Sequence, residues 1–122
     1  MPIVSIEIVA NEPPVATLAG DLAHSLANVF GGPPSRTWVR LRALDHYAEG
    51  GGGPPQDVLP VFVSVLMAAP PTGVARKDQA TALTKAVAIS CNRPAKNVHI
   101  IYESPAAGRV AFGGDLVPTA GQ

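Results

Sequence analysis

At 122 residues with 47% hydrophobic content, the chain lies in the range of one small domain with a real but modest core. Nine basic residues balance nine acidic ones, and the only local basic cluster is Arg36, Arg40 and Arg42, so no extended field exists to attract nucleic acid or an anionic membrane. Cys91 stands alone, which excludes an internal disulfide and a Cys-pair metal site, and no apolar run approaches the roughly 20 residues that cross a bilayer. With no basic leader at Met1–Ser5, a soluble cytoplasmic protein is expected.

From Ile3 to Val9 apolar residues alternate with Ser5 and Glu7, the pattern of a strand whose Val4, Ile6 and Ile8 share one buried face. Pro2 sits at its tip. After the break at Asn11–Pro14, Val15, Leu18, Leu22, Leu26 and Val29 recur at helical spacing, with Pro14 placed for an early helical turn. Gly31-Gly32-Pro33-Pro34 stops that helix. A second strand is predicted over Thr37–Leu44, with Val39 and Leu41 on one face and Trp38, Arg40 and Arg42 on the other. The glycine- and proline-rich segment 46–59 reads as a linker; it lacks the Gly-x-x-x-x-Gly-Lys spacing of a phosphate-binding loop.

The same order then recurs: a strand over Val61–Met67, a helix from about Val74 to Ser90, a stop at Asn92–Pro94 and a strand over Val98–Glu103. Leu22, Ala27 and Pro33 match Leu83, Ala88 and Pro94 at a constant offset. The chain thus divides into pseudo-repeats 2–45 and 60–104, the linker and a C-terminal segment 105–122, all within a single domain. A helix linking two strands of one sheet makes a right-handed crossover and leaves those strands parallel. Two such units predict an α+β fold: tandem β-α-β units forming a four-stranded sheet with two helices on one face. The other face carries Ser5, Glu7, Trp38, Arg40, Arg42, Phe62, Ser64 and His99, a surface too mixed for simple exposure, so other copies of the chain are expected to cover it.

Met1-Pro2 opening a strand, two fused strand-helix-strand units and a Gly-Gly pair following an aromatic after each unit resemble the tautomerase superfamily. Gly31–Pro34 and Val98–Phe112 resemble segments of macrophage migration inhibitory factor. Asp45–Gly51 resembles the loop ending the 4-oxalocrotonate tautomerase unit, and Gly108–Val117 is similar to the end of malonate semialdehyde decarboxylases. The resemblance implies a cofactor-independent homotrimer acting on a small carboxylate substrate, with no metal. It further implies that Met1 is excised and that Pro2 becomes an amino-terminal general base, an α-amino group with an ordinary pKa of about 8, close to working pH. Glu12, Ala68, Pro71 and Ala111 stand where relatives carry substrate-binding arginines or, at Ala111, a water-activating glutamate, which disfavours dehalogenation.

Around Pro2, the expected substrate-binding residues are Arg40, Trp38, His99, Tyr47 and Phe112. Arg40 offers a guanidinium fork for a carboxylate, or else an ion pair with Glu7 or Glu103; for Arg42 the ion pair is favoured. His99 either donates to an enolate oxygen or is a satisfied interface histidine. Tyr47 and Phe112 resemble aromatic walls of the family pocket, with packing at a subunit edge as the plainer role. The expected activity is keto-enol tautomerisation of a 2-oxo or 2-hydroxy-unsaturated acid. Its alternatives are a decarboxylase or hydratase using a protonated Pro2, and a non-enzymatic ligand-binding or signalling trimer.

Overall fold

A computed structural model describes residues 2–51 and 59–119. Met1, residues 52–58 of the predicted linker and residues 120–122 lie outside the described residues. The order is β1 (Pro2–Val9), α1 (Leu18–Phe30), β2 (Trp38–Leu44), β3 (Val61–Met67), α2 (Gly73–Cys91), β4 (Val98–Tyr102), β5 (Ala111–Phe112) and β6 (Asp115–Leu116). Single 3-10 turns precede β2 and β4 at Pro34–Arg36 and Ala95–Asn97.

The four long strands form one sheet in the order β2-β1-β3-β4. β1 and β2 are parallel with Ile3 opposite Trp38, Ser5 opposite Arg40 and Glu7 opposite Arg42. β3 and β4 are parallel with Phe62 opposite His99. The two units meet where β1 runs antiparallel to β3, and Pro2 lies opposite Met67. Alternation turns Val4, Ile6, Ile8, Val61, Val63 and Val65 toward the helices, where they are at most 3% exposed. Leu18, Leu22 and Leu26 of α1 and Leu83 and Val87 of α2 complete the same core, so both helices cover one face.

Three boundaries correct the expectation from sequence, the first being β2, which begins at Trp38 because Thr37 still closes the 3-10 turn before it. α1 begins at Leu18, leaving Val15 69% exposed and Pro14 ahead of the helix. The Leu18 N–H closes a tight turn onto the Val15 carbonyl instead, so the apolar spacing ran one turn beyond the helix it marks. β4 ends at Tyr102, although the Glu103 N–H still reaches the Val65 carbonyl. The helix ends follow the turn chemistry. Gly31 caps α1 at φ 81°, and Asn92 caps α2 in the left-handed region at φ 53°. No helix among the described residues is long and apolar enough to cross a membrane.

Candidate active site

Pro2 is the first residue of an interior strand, flanked by β2 on one side and β3 on the other. It shares the helix-side parity of Val4 and Ile6 and is buried. That end of the sheet also receives the C-terminal segment. The Ala106 N–H is donated to the carbonyl of Met67, the residue opposite Pro2, and the Ala107 N–H to that of Ala68. The segment then folds into the short β5–β6 ribbon and brings the Phe112 ring to 5.4 Å from Trp38, edge to face. Trp38 is half exposed and stands beside Ile3, so the Trp38–Phe112 pair lies at the proline end of the sheet.

The remaining candidates lie elsewhere. Tyr47 packs on Phe62 at 5.6 Å, and Phe62 on His99 at 5.4 Å. Phe62 is five residues along β3 from Met67, so within one chain this aromatic cluster is roughly 17 Å from Pro2. The Tyr47 hydroxyl donates to the Glu49 carboxylate at 2.7 Å, and this bond holds the phenol above its ordinary pKa, so Tyr47 stays protonated at neutral pH. Arg40 occupies an intermediate place. It lies opposite Ser5, three residues and roughly 10 Å along from Pro2. It lines a groove of about 420 Å³ on the open sheet face with Ser5, Glu7, Arg42, Ser64 and Glu103. Arg42 donates to the Glu7 carboxylate across the strand pair, the ion pair expected of it, whereas Arg40 makes no ion pair among the described residues.

Three residues that sequence reasoning passed over shape this region. Arg109 donates from Nε to the Pro105 carbonyl and from Nη2 to that of Ser104, both at 2.8 Å, and so braces the loop that reaches Met67. Arg76 donates to the Pro71 carbonyl and stacks 5.3 Å above the Tyr102 ring, fixing the start of α2. Neither role has a sequence signature, because both use backbone carbonyls. Thr37 is 4% exposed just ahead of Trp38, and it was detectable as a polar residue at the parity of Val39 and Leu41.

This architecture has close counterparts among solved structures. A fused 4-OT described as a wild-type symmetric trimer superposes with a TM-score of 0.73 at 21% identity, covering 98% of this chain and 99% of that one. A macrophage migration inhibitory factor from Oncomelania hupensis gives 0.73 at 18% identity, over 96% and 82% of the two chains. Pt0534, solved after inactivation by 2-oxo-3-pentynoate, gives 0.72 at 20% identity, over 94% and 95%. The chain therefore has the β-α-β tautomerase fold shared by 4-OT and macrophage migration inhibitory factor. No family model matches the sequence, and neither does any curated protein.

Proposed function

We propose that the chain is a keto-enol tautomerase of a small 2-oxo or 2-hydroxy-unsaturated acid, with Pro2 as the general base after removal of Met1. The observation that carries this reading is the position of Pro2: a buried residue heading an interior strand, at the sheet end where Trp38 and Phe112 pack together. Excision of Met1 turns the proline nitrogen into a secondary amine. Burial disfavours its charged form and increases the fraction able to take a carbon-bound proton. In this mechanism Pro2 takes the proton of the enol hydroxyl and delivers it to a carbon of the conjugated system, or runs the same transfer in reverse, and no covalent bond to the enzyme is needed. Arg40 anchors the carboxylate, and a hydrogen-bond donor stabilises the dienolate oxygen.

The working unit is proposed to be a homotrimer. The open sheet face exposes Trp38 and Ile101 by half, and among the described residues β2 and β4 form the sheet's unpaired edges, which another copy can extend. The trimeric assembly of the fused 4-OT structures supports this reading. A neighbouring copy also resolves the separation of the candidate residues. His99 and Tyr47 are too far from their own Pro2 to act on the same small molecule, but across a subunit boundary they can line a neighbour's pocket. The test is turnover of phenylenolpyruvate and 2-hydroxymuconate by protein whose intact mass shows loss of Met1. Conversion of at least one, abolished in Pro2→Ala, is expected; no turnover of either contradicts the tautomerase assignment.

A further inference from the structure

The Oγ1 of Thr37 is the buried side-chain oxygen among the described residues that has no hydrogen-bond partner. The residue is 4% exposed. A hydroxyl buried without a partner is a net cost, and native structures retain one mainly where something else uses it. Valine has nearly the same shape, suits a strand start and would carry no such cost. The surroundings of Thr37 indicate the use. β1 and β2 run parallel with Ile3 opposite Trp38, the first pair of their register, and continuing that register one step earlier sets Pro2 beside Thr37. Pro2 shares the helix-side parity of Val4, and Thr37 that of Val39 and Leu41; both are buried. The position of Thr37 is set independently by the 3-10 turn before it. There the Arg36 N–H is donated to the Pro33 carbonyl and the Thr37 N–H to that of Pro34.

We propose that Thr37 is a positioning residue for Pro2, its Oγ1 accepting a hydrogen bond from the proline amine; this rests on the reading of Pro2 as an amino-terminal base. The missing partner has a chemical explanation. While Met1 is attached, the proline nitrogen is a tertiary amide with no hydrogen to donate, and excision creates the donor. The neutral secondary amine then has one N–H and one lone pair. An acceptor on the buried side takes the N–H and leaves the lone pair directed out of that layer, toward the substrate. After it takes the enol proton the nitrogen carries two hydrogens: one stays hydrogen-bonded to Thr37, and the other is the substrate's proton, ready for delivery to carbon. Thr37 transfers no proton itself. It keeps the ring from turning its lone pair away, which is an orientation effect and belongs in kcat.

Thr37→Val removes the oxygen at nearly constant shape, and Thr37→Ser retains it. Both are to be compared with the parent as full chains whose intact masses show loss of Met1. Thr37→Val is expected to lower kcat on the better of phenylenolpyruvate and 2-hydroxymuconate by roughly tenfold to a hundredfold, with KM changed by no more than about twofold. Thr37→Ser should recover most of that loss. The rate at which 2-oxo-3-pentynoate attaches to Pro2, read by mass, should fall in parallel, and this readout does not require the right substrate. Unchanged kcat and attachment rate in Thr37→Val overturn the proposal while leaving Pro2 as the base. So does a Thr37→Val chain that loses cooperative unfolding, which would make the residue structural. A parent whose proline neither supports turnover nor takes up the reagent removes the reading of Pro2, and Thr37 falls with it.

Discussion

Arg93 shows how one side chain can tie together parts of the chain far apart in sequence. It donates to the carbonyls of Leu59, Cys91 and Val9 at 3.0–3.1 Å, joining the end of β1, the end of α2 and the approach to β3. Arg93→Ala should cost roughly 1.5–3 kcal/mol in denaturant unfolding, and Arg93→Lys should recover only part, because an ammonium cannot reproduce the planar fork. Beside it, Cys91 is buried, and burial raises its thiol above the ordinary pKa against the opposing pull of Arg93. At pH 7–8 it should react with a thiol reagent far more slowly in the folded protein than in denaturant. Comparable rates would place it at the surface. Arg40 separates two roles by a single substitution. If it grips a carboxylate, Arg40→Ala should lower kcat/KM by roughly tenfold to a hundredfold with assembly intact. If it serves instead as an interface ion-pair residue, dissociation on light scattering should come before any kinetic change.

At the scale of elements, the core is concentrated where two repeats of the same pattern meet. Leu26 and Leu83 are fully buried beneath the helices, so Leu83→Ala should destabilise by about 2–5 kcal/mol without changing the sheet face. The sequence made these elements legible because both periodicities are strong: Val4, Ile6 and Ile8 alternate, and Leu18, Leu22 and Leu26 recur at helical spacing. The parallel pairing within each unit followed from the crossover connection. The β5–β6 ribbon was not legible. Its strands are two residues each around Gly113-Gly114, too short for any periodicity, and what it contributes is one contact, Phe112 on Trp38. The site divides in the same way. As candidates, Pro2 could be singled out by position and Trp38 by its neighbours, whereas the distance between His99 and Pro2 depends on β3 running antiparallel to β1, a pairing no local pattern encodes. The bond from Arg42 to Glu7 was readable because both lie at matching parity on strands that the crossover makes neighbours.

For the molecule as a whole, the polar sheet face and the open edges of β2 and β4 call for partners, and in the proposed homotrimer two more copies of the chain take that place. Light scattering at micromolar concentration should give three times the chain mass; a stable monomer would contradict both the assembly and a pocket shared between copies. Everything catalytic, however, depends on a free amine at Pro2. The most direct measurement is an intact-mass and peptide-mass analysis after incubation with 2-oxo-3-pentynoate. This reagent's alkyne is conjugated to its ketone, so a neutral amine can add to it with no leaving group. The expected result is a chain lacking Met1 that gains the mass of one reagent molecule, located on the peptide beginning at Pro2 and absent in Pro2→Ala. A chain that retains Met1, or one that carries the reagent on another residue, would contradict it.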